Sequence, residues 1–311
     1  MIFKLILLAA GFILLIKGAD WFVDGASDMA SRFGIPQLVI GLTIVAMGTS
    51  MPEAAVSIAA ALKGTSEIAV GNVVGSNILN ILLILGITSI IAAVPVQKST
   101  LKFEIPFMIA ITVIMLFMCL SGREVSFLEG IILWILFLSY LAYLYFLSVK
   151  DNKNKKQEIV HKKCSIWSCM ARGAVGCILI IAGSNMAVEG ASGLAGLMGM
   201  SERLIGLTIV AFGTSLPELV TSVTAARKGN SAIAVGNIIG SNIFNILFII
   251  GSTALITPVK FDIGFTYDVI IAALSGALLW ILAAKNKKLG RTCGIIMLSA
   301  YILYSVYLYA V

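Results

Sequence analysis

Glu53 and Glu218 each close a stretch that is otherwise apolar, GLTIVAMGTSMPE over 41–53 and GLTIVAFGTSLPE over 206–218. Proline has no amide hydrogen, so in a helix Pro52 leaves the carbonyl of Gly48 without its intrahelical donor. The hydroxyls of Thr49 and Ser50 and the carboxylate of Glu53 fall at the same break. Carbonyl, hydroxyl and carboxylate oxygens converging on one spot make an all-oxygen site, the kind that hard cations take. Gly213, Thr214, Ser215, Pro217 and Glu218 repeat the arrangement. A carboxylate set this deep in apolar surroundings is costly to bury, and inside a membrane it marks function.

A second pair of motifs follows, AVGNVVGSNILN over 69–80 and AVGNIIGSNIFN over 234–245. Residues three and four apart share a helix face, so oxygens of Ser76, Asn77 and Asn80 can line one side, as can those of Ser241, Asn242 and Asn245. Hydrogen bonding between helices is the ordinary alternative use of such groups. Gly71 and Gly75, like Gly236 and Gly240, have the small-xxx-small spacing that lets membrane helices approach closely.

The elements that must hold these groups are written in the composition. Of 311 residues, 59% are hydrophobic and only 12% charged, against about a quarter charged in soluble domains. Mean hydropathy is +1.04. Apolar segments predict helices at 3–32, 37–61, 68–92, 104–120, 126–149, 166–199, 203–226, 232–256, 265–284 and 290–310. Their runs are continuous and do not alternate with polar residues, which favours helices over a barrel. The opening segment resembles a signal peptide up to Ile16, but it runs on to about Arg32, too long for an h-region, and reads as a retained first helix.

With the N-terminus outside, the inner side collects 16 lysines and arginines and the outer side 5. The positive-inside bias therefore predicts both termini outside; the expected location is the plasma (inner) membrane. The hydrophilic stretch DNKNKKQEIVHKK over 151–163 becomes a cytoplasmic connector; contact with anionic headgroups is its second reading. The net charge of +7 follows from this topology and does not call for a nucleic-acid partner. Cys119, Cys164, Cys169, Cys177 and Cys293 show no paired spacing, so no disulfide framework or zinc site is expected.

At a constant offset of 165 and without a gap, 41–86 matches 206–251 at 31 of 46 positions. Five helices per copy is an odd number, so the second copy enters the membrane from the opposite face. The expected fold is an all-α polytopic membrane protein of ten helices in two inverted repeats, with the site at their interface near the midplane. The first repeat spans 1–149 (core 37–92), a basic loop spans 150–165, and the second repeat spans 166–311 (core 203–256).

The paired GTSMPE/GTSLPE and GSNILN/GSNIFN motifs resemble the two alpha-repeats of the calcium/cation antiporter superfamily, in particular prokaryotic sodium/calcium exchangers. The resemblance covers the whole chain in helix number and repeat order. It implies exchange of external sodium for internal calcium by alternating access, with no enzyme activity and no cofactor, by a monomer in the lipid bilayer. The ion ligands it implies are the carboxylates of Glu53 and Glu218, with Thr49, Ser50, Thr214 and Ser215 beside them. The backbone carbonyls of Ala46 and Ala211, and Ser76, Ser241, Asn80 and Asn245, complete the implied set. Some exchangers of this kind, including potassium-dependent ones, carry aspartate where this chain has Asn245. Two formal charges rather than three weigh against potassium co-transport; two carboxylates balance one calcium or two sodium ions.

Proton/calcium exchange on the same scaffold is the nearest rival, since the same glutamates could carry protons. A passive channel needs no inverted duplication. A hydrolase lacks its parts: there is no HExxH, and the single histidine, His161, lies in the charged loop. Three further acids remain. Asp20 could pair with Lys17 or Asp24 along its helix, and Asp24 and Glu189 are expected nearer an interface, in ion access or in snorkelling.

Overall fold

The computed structural model describes residues 1–64, 66–154, 165–199, 211–261 and 263–310. Its long apolar runs are helices, the form in which a segment in lipid satisfies its own backbone groups. In chain order they are α1 (Ile2–Phe33), α2 (Gln37–Thr49), α3 (Met51–Leu62), α4 (Ile68–Ile91), α5 (Thr100–Gly122) and α6 (Phe127–Asn154). There follow α7 (Ile166–Leu197), α8 (Ala211–Thr214), α9 (Leu216–Arg227), α10 (Ser231–Ile256), α11 (Ile263–Asn286) and α12 (Arg291–Ala310).

Among the described residues eight helices are long and apolar enough to cross a membrane, or nine if α2 and α3 form one broken span. The helix expected over 203–226 falls partly outside the described residues, as does most of the basic loop. The distribution of polarity is that of a membrane protein. Phe117, Leu128, Phe146 and Leu303 are exposed, while Thr49, Glu53, Asn80, Glu218 and Asn245 are buried.

Four two-residue strands, not foreseen from the sequence, tie the connections together. β1 (Val94–Pro95) pairs antiparallel with β4 (Lys288–Leu289), and β2 (Glu124–Val125) with β3 (Val259–Lys260). Each ladder joins a connection of the first half to one of the second. Residues in the connections have no helical partners for their backbone groups, and these ladders pair some of them.

The centre of the molecule is α10, where 94% of the residues in its most apolar stretch are buried, with α4 at 72% beside it. α2 reaches α10 through glycine. A Cβ on Gly41 would lie 2.9 Å from the Ile233 carbonyl oxygen, and one on Gly236 2.9 Å from that of Leu38. The expected close approach thus holds for Gly236 and also Gly240, but Gly71 meets only the Phe265 ring at ordinary distance. The two copies share sequence but not surroundings. On the flank, α1 and α7 run antiparallel in long contact, Gly11 meeting Gly183 and Gly18 meeting Gly176.

Candidate cation-binding site

The predicted break in the first copy is a bend of 50° between α2 and α3. Ser50 departs from helical geometry there (φ −85°, ψ 9°) and Ser215 does the same in the second copy (φ −92°, ψ 5°). Proline interrupts the ladder and places α3 and α9 as fresh helix starts, with Pro52 and Pro217 in the first turn where a missing amide costs nothing. The carbonyl of Gly48 is met by the Cys177 thiol at 3.7 Å and that of Gly213 by the Ser184 hydroxyl at 2.7 Å. Both donors sit on α7, so the breaks are held by the helix packed against them.

Glu53 and Glu218 each lie in the first turn of the restarted helix, 1% and 0% exposed. Each carboxylate takes a donor from the other half of the chain. Ser50 Oγ donates to Glu218 Oε1 at 2.7 Å, and Ser215 Oγ to Glu53 Oε1 at 3.2 Å. Ser215 Oγ also lies 3.4 Å from Ser76 Oγ. Thr214 stands beside Glu53, and Thr49 and Ser241 beside Glu218. The carbonyl of Ala46 accepts from Thr49 Oγ1 at 3.2 Å and Ser241 Oγ at 3.4 Å. Ala211 opens α8 directly after the undescribed residues 200–210.

The asparagines form a closed pattern between α4 and α10. Asn77 Nδ2 donates to the Asn242 carbonyl (3.3 Å) and Asn242 Nδ2 to the Asn77 carbonyl (3.1 Å). Asn80 Nδ2 donates to Asn242 Oδ1 (2.9 Å) and Asn245 Nδ2 to Asn77 Oδ1 (3.0 Å). Asn80 and Asn245 each begin a widened, π-helical turn, Asn80–Ile84 and Asn245–Ile250, a local form frequent at functional sites.

The asparagines of the two AVGN stretches, and the serines they bond, were missed from the sequence. Asn72 Nδ2 donates to the Glu53 carbonyl (3.2 Å) and Ser57 Oγ (3.0 Å); Asn237 Nδ2 donates to the Glu218 carbonyl (3.4 Å) and Ser222 Oγ (2.9 Å). Asn237 also accepts from Thr49 Oγ1 at 3.0 Å. Their identity in both AVGN stretches was the available signal. The other acids go elsewhere. Lys228 Nζ meets Asp20 at 3.1 Å and Asp24 at 2.9 Å, so the partner of Asp20 is not Lys17, and Glu189 pairs with Lys4 at 3.0 Å. These pairs are partly exposed, unlike the two glutamates; a third buried acid, Glu104, accepts from the Tyr143 hydroxyl at 2.9 Å.

In these two networks four buried oxygens have no donor among the described residues: Glu53 Oε2, Glu218 Oε2, Asn80 Oδ1 and Asn245 Oδ1. Left bare, buried polar atoms cost roughly 1–3 kcal/mol each, and more when charged. All four are acceptors, and one hard cation can be shared by all of them where a single water donates to two at most. Two carboxylates and two amide oxygens fit a hard metal ion as substrate.

Comparison with known proteins agrees with this chemistry. The family described as sodium/calcium exchanger protein matches residues 3–146 and 170–310. The chain belongs to that family. Among relatives of this exchanger family, the putative antiporter CaxA of Alkalimonas amylolytica is 38% identical over the full length of both chains. The sodium/calcium exchanger MaX1 of Methanosarcina acetivorans is 33% identical over 98% of each. The solved sodium-calcium exchanger NCX_Mj, soaked without sodium and calcium, superposes with a TM-score of 0.86 at 32% identity, covering 99% of each chain. Membership places this chain with membrane-bound cation/calcium antiporters rather than enzymes.

Proposed function

We propose that this family member exchanges sodium for calcium by alternating access, moving calcium outward, at one site shared by its two halves. The carrying observation is the set of four bare, buried acceptor oxygens on Glu53, Glu218, Asn80 and Asn245. The proposed ligands are those carboxylates and amides with Thr49, Ser50, Ser76, Thr214, Ser215 and Ser241, and the carbonyls of Ala46 and Ala211. Calcium takes six to eight oxygens, more than the four bare atoms supply, so the hydroxyls that donate to the carboxylates would add their free lone pairs to the ion as it binds. Calcium and sodium compete for the same oxygens, so loading with one excludes the other.

The same reading gives ten helices in two inverted repeats, 1–149 and 166–311, about a basic inner loop at 150–165, with both termini outside the inner membrane. Support comes from the strand ladders. The repeat offset carries Val94 of the β1–β4 ladder to Val259 of the β2–β3 ladder. α5 runs between them, from β1 at one end to β2 at the other. A twofold axis exchanging opposite ends of one spanning helix lies in the plane of the membrane, as inversion requires.

Radiocalcium uptake into liposomes containing the purified protein tests the exchange, with sodium, potassium and proton gradients imposed one at a time. Uptake driven by sodium alone is expected. Uptake driven by a proton gradient without sodium would replace this reading with proton/calcium exchange, and a requirement for potassium would replace it with potassium-dependent exchange.

A further inference from the structure

The four asparagines do more than join helices, and donor–acceptor logic says what. A backbone carbonyl can only accept, so the bonds to the carbonyls of Asn242 and Asn77 must come from the amide nitrogens of Asn77 and Asn242. That fixes both side-chain oxygens on the far edges. A side-chain carbonyl also only accepts, so Asn245 must offer its Nδ2 to Asn77 Oδ1, and Asn80 its Nδ2 to Asn242 Oδ1. Each ligand asparagine is left with one orientation, its oxygen bare and buried. The assignment of nitrogen and oxygen at all four amides follows from two backbone carbonyls.

We propose that Asn77 and Asn242 are positioning residues of the cation site, each locking the carboxamide of the opposite half's asparagine with its oxygen toward the ion. This rests on the exchange reading for the identity of the ion. Without Asn77 Oδ1, the Asn245 amide can turn its NH2 edge inward and present positive rather than negative charge to a cation. Asn77→Ala keeps its own backbone carbonyl, so Asn242 stays held and Asn80 stays correctly turned. Coupling therefore runs between the halves: Asn77 acts through Asn245, and Asn242 through Asn80. It does not run between Asn77 and Asn80, though they are three residues apart on one helix.

The test is radiocalcium binding to the purified full-length chain, read as a double-mutant cycle. Asn77→Ala is expected to weaken binding about ten-fold, the scale of losses behind a metal ligand, and to add nothing further in an Asn245→Ala background. Asn77→Ala and Asn80→Ala should instead multiply. If Asn77→Ala fails to accumulate in the membrane, Asn242→Ala with Asn80→Ala carries the same expectation. Equal effects of Asn77→Ala with and without Asn245 would show a merely structural role and overturn the proposal. A chain whose binding couples as stated but which shows no sodium-driven flux would overturn the exchange reading alone. A chain that binds no calcium would overturn both.

Discussion

The hydroxyl of Ser50 donates to the carboxylate of Glu218 at 2.7 Å, across 168 residues of chain. The reciprocal bond, from Ser215 to Glu53, is longer at 3.2 Å. Each helix break thus supplies a donor to the acid of the other half, and the two contacts are not equal. Hydrogen bonds to charged groups are worth roughly 1.5–3 kcal/mol, and the shorter one should lie toward the upper end. Ser50→Ala is therefore expected to reduce sodium-driven calcium flux more than Ser215→Ala does. Initial rates in liposomes at subsaturating calcium check the order; equal losses would mean that the inequality has no functional weight.

Replacing Glu53 or Glu218 by Gln keeps the shape and removes one of the two charges that, on the proposed reading, balance a divalent ion. Either substitution should abolish sodium-driven calcium flux in vesicles while the protein still reaches the membrane. Normal flux from either variant would remove the assignment of the site.

Gly41 and Gly236 touch backbone to backbone, with 2.9 Å available where a Cβ would stand. Neither neighbour is a flexible side-chain tip. Gly236→Ala should lower stability by about 1–3 kcal/mol, the usual cost of overpacking. Gly71→Ala, facing the Phe265 ring at 3.4 Å, should cost far less. Thermal unfolding of the two variants in detergent, side by side, measures the difference.

Lys228 closes the end of α9 onto α1 through Asp20 and Asp24. The repeat offset pairs Lys228 with Lys63 and Asp24 with Glu189, yet Glu189 is bonded to Lys4. The clasp is therefore present at one end of α1 and α7 and replaced at the other. Its groups are more than a quarter exposed, so Lys228→Gln should change the unfolding temperature little. It should change turnover at low salt, and the difference should shrink as salt screens the pair. Flux at two ionic strengths decides this, and an unchanged turnover at both would reduce the clasp to a surface ion pair.

The helix breaks and the polar groups set around them were largely legible in the chain. A proline after Gly-Thr-Ser specifies where each helix must break, because the missing amide is a covalent fact. A carboxylate one residue later specifies which oxygens gather there. The offset of 165 links the two copies residue by residue, from Thr49 and Thr214 to Asn80 and Asn245. These are properties of one helix at a time, and helical spacing encodes the face on which a residue stands.

Which surface meets that face is not a property of one helix. The serine of one break bonding the acid of the other, the amides of α4 and α10 reading each other's backbone, and Lys228 taking Asp20 from its neighbour Lys17 all depend on packing between segments far apart in sequence. So does the different fate of Gly71 and Gly236, which share a motif but not their neighbours. The sequence by itself determined the residue types, the breaks and the duplication. Tertiary structure alone decided who partners whom, because hydrogen bonds and close contacts are made between helices while periodicity is written within them.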